Sequence, residues 1–359
     1  MPAHIPRPTI PRIPSDTWSA LYQAADELRG LALWECIGDA DLLCIDDART
    51  GGPMLGAVMG AAGELFGLAI YHGEDGCRAV LEAALGENEY APMETFHLTS
   101  VLKVEFVPKA ELSAEEKRRV KQLGFRPAIK SPQWWPTFQS VHPGCLPWHL
   151  DPAEAELLLH VLPRLTALGR CVRPLFEDDE SLPADGFAFW PKGRVPGEPL
   201  RPDEIEWRNL AVPPKRAPDP FTVDKVTAAR LAALPLEAAL ALELDARASI
   251  SAIDEGERPW YLKTGLAAEL RTGVIAGLAM GESAADTLEA IAGRALVQAV
   301  LALGKRPGAV RVQKERIADA LGSLAAQLGV KIEWRQTLPM IDAAMDSISA
   351  QMQIDFPGR

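Results

Sequence analysis

Five acidic residues in the last third of the chain, Glu243, Asp245, Glu315, Asp342 and Asp346, are of the type that could do the most demanding chemistry. Several carboxylates gathered at one place can hold a pair of Mg²⁺ ions, which activate water and stabilise the leaving oxygen in phosphodiester hydrolysis. Glu243 and Asp245 could serve as the acids of a first strand, and Asp342 and Asp346 are available on a final helix. The position that should complete such a set, just after Val310-Arg311-Val312, holds Gln313, a neutral amide that brings no charge to a metal. Glu315 stands two residues further on as a substitute. The acids are therefore read as better suited to scaffolding or binding than to metal catalysis.

Three other constellations point to weaker chemistry. His142-x-x-Cys145-x-x-x-His149 offers three soft ligands at close spacing, yet it lacks a fourth, and Pro143 and Pro147 work against convergence. Hydrogen-bonded or solvated histidines are expected there, and no metal. In Tyr71-His72-Gly73-Glu74-Asp75-Gly76-Cys77 a base and a thiol stand near a helix start, but no third group orients them, so a structural turn is expected. Gly51-Gly52-Pro53 and Gly60-Ala61-Ala62-Gly63 are followed by neither Lys-Ser nor Lys-Thr and do not fit the dinucleotide fingerprint. They are read as turns, and no cofactor is expected.

The most individual stretch is Gln133 to Leu150, which holds Trp134, Trp135, Phe138 and Trp148 together with Pro136, Pro143 and Pro147. Proline fixes φ and removes backbone donors, so this stretch is expected to be an ordered loop or sheet edge. Flat aromatic faces can line a groove for a peptide, a base or a sugar, which makes Trp134, Trp135 and Phe138 the candidate binding residues. Side chains alternate along an extended segment, so the adjacent pair Trp134 and Trp135 cannot both point inward. Trp148, just before a helix capped by Asp151, is expected to anchor the core.

Apolar periodicity and turn residues supply the elements that must position these groups. After a Pro-rich extended arm at 1–14 come a helix at 16–28, strands at 31–37, 41–46, 54–59 and 65–71, a helix at 74–85 and a strand at 101–107. Ser113-x-x-Glu116 marks a capping box on a helix at 113–123, and a helix at 151–168 closes an α+β domain spanning 15–170. Residues 171–221, rich in proline and acids and including Glu177 to Glu180, form a linker or extension with short strands near 186–190 and 205–212. From 222 to 359 the order is a helix, three strands (236–244, 260–269, 273–280), then helix, strand, helix, strand and helix (283–303, 309–312, 314–328, 330–335, 339–352). That succession is the one found in ribonuclease H-like α/β domains, an analogy of architecture alone. The fold class is thus α+β, a mixed-sheet amino-terminal domain followed by a ribonuclease H-like carboxy-terminal one.

The chain also resembles a family of uncharacterised bacterial two-domain proteins. The likeness rests on Trp135-Pro136-x-Phe138, Pro143-Gly144-x-x-Pro147-Trp148-x-Leu150, Arg306-Pro307-x-x-Val310-x-Val312, Leu328-Gly329-Val330-Lys331-Ile332 and Leu338-Pro339-x-Ile341-Asp342. It implies the two-domain division and no activity.

Composition narrows the function classes. At 359 residues, 48% hydrophobic and 24% charged, the chain can build proper cores and leaves little room for disorder. A formal charge of -12 argues against nucleic-acid binding over the whole surface, while leaving room for a local basic face. The apolar run 53–71 is interrupted by Glu64 and reads as two strands, so no membrane partner is expected. Five scattered cysteines and an amino terminus without an apolar signal core suit a reducing cytoplasm. The expectation is a cytoplasmic protein, leaning away from enzyme, that binds or scaffolds an unidentified protein or ligand. The alternative is a metal-dependent nucleic-acid-processing enzyme built on the carboxy-terminal domain.

Overall fold

Leu43 and Ile45 belong to one core and Leu42 and Cys44 to another, so the strand β1 (Leu42–Asp46) is buried on both faces. Such a strand must lie inside a sheet covered on both sides. In the computed structural model the described residues are 7–38, 40–85, 99–128, 134–177, 186–195 and 199–355. The chain divides into two compact units, Met1–Pro214 with Gly256–Arg258 and Lys215–Glu255 with Pro259–Arg359. The class is α+β, with one mixed sheet in each unit.

In the first unit β1 is joined by β2 (Pro53–Met59), β3 (Phe66–His72), β4 (Ser100–Pro108), β5 (Trp134–Val141), β6 (Phe187–Phe189) and β7 (Glu206–Arg208). The sheet order is β5-β4-β3-β2-β1-β6-β7, antiparallel except where β6 runs parallel to β1. Helices α1 (Ser15–Leu31) and α4 (Pro152–Glu177) contribute Trp18, Leu21, Tyr22, Leu158, Leu162 and Leu165 to the larger core. α2 (Gly73–Ala84) puts Cys77, Val80 and Leu81 into the smaller one. On α3 (Ala114–Leu123) the capping box is formed: Glu116 N donates to Ser113 Oγ at 3.2 Å and Ser113 N to Glu116 Oε2 at 2.8 Å.

Two expectations for this unit are corrected. Residues 31–37 form no strand; α1 runs to Leu31, Ala32 turns left-handed with φ 46°, and a single 3₁₀ turn occupies Leu33–Glu35. Ile37 N donates to Leu33 O at 2.8 Å, so the backbone is satisfied locally and needs no sheet partner. The helix expected to stop at 168 continues to Glu177, because Leu168 and Val172 carry the buried stripe onward. Gly169 permits this: a Cβ there would stand 2.4 Å from Leu33 Cδ1. The middle segment adds β6 and β7 to this sheet. Of its acidic run, Glu177 ends α4 and residues 178–180 lie outside the described residues, as do residues 1–6 of the arm.

The second unit opens with α5 (Lys225–Ala233), whose N-cap Asp224 accepts from Val226 N and Thr227 N. β8 (Leu236–Ile253), β9 (Trp260–Glu269) and β10 (Ile275–Met280) form an antiparallel meander. Then follow α6 (Leu288–Leu303), β11 (Arg306–Val312), α7 (Glu315–Leu328), β12 (Lys331–Trp334) and α8 (Pro339–Asp355). The sheet order is β10-β9-β8-β11-β12, with β11 parallel to both neighbours. α6 and α7 bury one face through Ile291, Ala295, Leu321 and Leu324, while Leu338, just before α8, and Ile341 and Met345 on it cover Leu266 and Ala268 on another. β8 runs nine residues past its expected end at 244, because its far half is held by β9 as far as Ile253 opposite Trp260.

Candidate functional site

The Trp/Pro stretch becomes β5, the outermost strand of its sheet, followed by a turn in which Cys145 N donates to His142 O. An outermost strand has one edge free of ladder bonds, which is where Pro136 is tolerated. Trp135 and Phe138 are each 4% exposed and belong to the core. Trp135 meets Phe125 edge-on with centroids 6.1 Å apart, and Phe138 meets Tyr22 the same way at 5.2 Å. Trp134 is only half-buried. Its ring stands T-shaped to Phe66 at 4.5 Å, and Phe66 stands T-shaped to Trp34 at 5.2 Å, so three half-buried aromatics form a row. Gly60, at φ 134°, permits the row: a Cβ there would lie 2.7 Å from Phe66 Cδ1 and 2.8 Å from Trp34 Cβ. Trp148 is half-buried and exchanges both backbone hydrogen bonds with Ser140 at 2.8 Å.

Beside this strand lies a polar cluster that the sequence did not single out. Glu154, in the first turn of α4, accepts Ser140 Oγ and His142 Nε2 on Oε1, each at 2.5 Å, and Asp151 N on Oε2 at 2.8 Å. Arg258, whose short segment clusters with this unit, donates to both oxygens at 2.9 Å. Burial alone would raise the Glu154 pKa, but His142, Ser140, the Asp151 amide and Arg258 outweigh it and hold it down at about 2. The Ser140 hydroxyl and His142 both point at the carboxylate and not at each other, so the pairing of a serine with a histidine base is not formed, and the cluster locks a turn. The missed signal was Asp151-x-x-Glu154: Glu154 N also donates to Asp151 Oδ1 at 2.8 Å, a reciprocal cap.

His142 and His149 face different surroundings, His142 bonded to Glu154 and His149 beside Trp148 with Glu115 and Arg119 as its charged neighbours. Cys145 is buried. His72 precedes α2, and the Cys77 thiol donates to Pro53 O at 3.2 Å. Burial pushes that thiol up to about 11, the opposite of what a nucleophile needs.

In the second unit the sheet brings three of the five candidate acids close to α8 and uses each of them. Glu243, 1% exposed, accepts Met340 N at 2.8 Å and Ile341 N at 3.3 Å, and so caps the start of α8. Asp245, 0% exposed, accepts Arg247 Nε at 2.8 Å, and its other oxygen takes no hydrogen bond but lies 3.4 Å from Lys314 Nζ. Arg247 Nη2 reaches across to Asp342 at 2.5 Å. Burial would lower the Arg247 pKa, yet Asp245 and Asp342 together hold it above its ordinary value. Glu315 and Asp346 are exposed to solvent, and Gln313 Nε2 donates to Gln336 O at 2.7 Å. Among the described residues no three His, Cys, Asp or Glu side chains are gathered to hold a metal ion. None of the helices described is long and apolar enough to cross a membrane.

Residues 18–184 match the family model of a domain of unknown function, DUF7309. Residues 227–349 match that of a second such domain, DUF6930, and the pair fits a two-domain family without an assigned activity. No curated protein matches the chain.

Proposed function

We propose that this is a non-enzymatic binding or scaffold protein. Its first unit presents the aromatic row Trp34, Phe66 and Trp134, and its second unit keeps a ribonuclease H-like framework without the metal chemistry. The observation that carries the reading is Arg247, whose guanidinium bonds Asp245 and Asp342 at once. A two-metal site needs carboxylates free to meet a cation. Here the cation is a side chain of the chain itself, and Lys314 adds a second. The likeness to ribonuclease H-like domains is supported by the β10-β9-β8-β11-β12 order with helices between the parallel strands. The aromatic row supports binding, because half-buried rings held by their neighbours offer rigid area at little entropic expense. Five free thiols are in keeping with a reducing compartment such as the cytoplasm.

Calorimetric titration with Mn²⁺, together with labelled single- and double-stranded nucleic acid, tests the second unit. The expected result is no saturable Mn²⁺ uptake and no cleavage. Saturable uptake and cleavage, both lost on Asp245→Asn, would overturn the reading in favour of a nuclease. For the first unit, capture from native extract should recover a partner with wild type and lose it with Trp134→Ala. A partner retained equally by that variant would remove the aromatic row from the proposal.

A further inference from the structure

The two edges of the second unit's sheet are built differently. β12 carries Lys331 and Glu333, with Arg335 just beyond, and Glu333 pairs with Lys331 at 3.2 Å and Arg311 at 3.6 Å. Charged side chains on an edge strand deter pairing with another chain. From Gly273 to Gly281, around β10, there is no charged residue and no proline. Val274 is 57% exposed, Leu278 50% and Met280 51%, although all three are large and apolar. Gly281 N donates to Lys263 O at 2.8 Å, so alternation turns the backbone groups of Leu278 and Met280 toward the open edge. There Met280 O meets Arg294 Nη2 at 3.3 Å.

We propose that this edge joins two copies of the chain, β10 pairing antiparallel with β10 of the second copy about a two-fold axis at Leu278. In that register Leu278 stands opposite Leu278 and Ala276 opposite Met280. Each copy's exposed leucine and methionine then shelter the other's, as an isologous contact requires. Charge selects a second copy as the occupant. In that register Glu282 of one copy falls opposite Val274 of the other, three positions from Arg271 and within reach of its long side chain, twice by symmetry. Arg271 is 89% exposed with its Glu269 partner 3.8 Å away, and Glu282 is exposed. Two chains of net charge -12 repel over most of their surfaces. A contact whose strand carries no charged residue of its own, with Arg294 at its margin already paired to Asp286, and which is complementary at both ends is where they can meet. Pairing would continue the two five-stranded sheets into one.

One strand pair buries less than a standard interface of about 1,600 Å², so the association is concentration-dependent. Sedimentation equilibrium of the full chain from about 1 µM to about 500 µM reads it. The mass should rise from 38.9 kDa toward twice that value. The double variant Leu278→Lys/Met280→Lys should stay monomeric throughout with an unchanged far-ultraviolet circular dichroism spectrum. Arg271→Glu should weaken association at least about five-fold, and adding Glu282→Arg should restore it. This charge swap keeps the test sound if the lysine variant does not fold. A wild type that is monomeric at every concentration, a dimer untouched by the lysines, or a swap that restores nothing would each overturn the proposal.

Discussion

Glu154 in the first unit and Asp245 in the second are both carboxylates withdrawn from water, and they are compensated by different means. Around Glu154 three of the four groups are near in sequence, Ser140 14 residues away, His142 12 and the Asp151 amide 3, and only Arg258 is distant, at 104. Around Asp245 the second carboxylate on the shared guanidinium, Asp342, is 95 residues from Arg247, and Lys314 comes from beyond β11. Without Arg258, the Ser140, His142 and Asp151 contacts still need only a turn and a helix start. The Arg247 bridge needs a complete sheet with α8 already seated, so it should be the more damaging one to break.

The largest expected effect follows from that contrast. Arg247→Ala leaves Asp245 buried with only Lys314 beside it, and should cost the second unit about 3–5 kcal/mol. Hydrogen exchange of β8 amides reads this unit separately from the first, and a loss below about 1 kcal/mol would erase the distinction between the two carboxylates. Trp135→Ala should cost the first unit about 3 kcal/mol, since a core aromatic leaves a cavity behind. Trp134→Ala should cost about 1 kcal/mol or less; equal losses at both, followed by chemical denaturation, would place the pair in the core together.

The acid response of Glu154 sharpens the comparison further. Its folded pKa of about 2 lies below the ordinary 4.5, so the stability it contributes is present above 4.5 and is lost as pH falls toward 2. Allowing for solvent screening, the loss should be about 2 kcal/mol. Between pH 5 and pH 2 wild type should lose this much more stability than Glu154→Gln. Parallel curves for the two proteins would mean that the cluster does not hold the carboxylate down.

Much of the framework was legible in the chain. The strands near 42–46, 53–59 and 66–72, the Ser113/Glu116 capping box and the alternation of helices and strands after 283 all rest on short-range periodicity and caps. What was not legible rests on partners far away. The far half of β8 is a strand because β9 holds it, and residues 31–37 are not one because their backbone bonds close locally. Among site residues, Asp245 and Asp342 were singled out for their charge, but Arg247 was not, since nothing in its local pattern assigns it to either. Glu154 was legible only as a cap, from the spacing of Asp151-x-x-Glu154, because Ser140, His142 and Arg258 reach it only once the turn and the Arg258 segment are in place.

Trp134 and Trp135 divide the two kinds of knowledge most plainly. Their adjacency in an extended, proline-bearing strand implied that the two would not be equally buried, since side chains alternate along such a backbone. Which of them is buried was decided only by the tertiary structure. Trp135 meets Phe125 within the core and is 4% exposed, while Trp134 packs at the margin of that core against Phe66, from the β2–β3 hairpin, and stays half-buried. Alternation is a property of the backbone, whereas burial belongs to whatever the rest of the chain brings alongside.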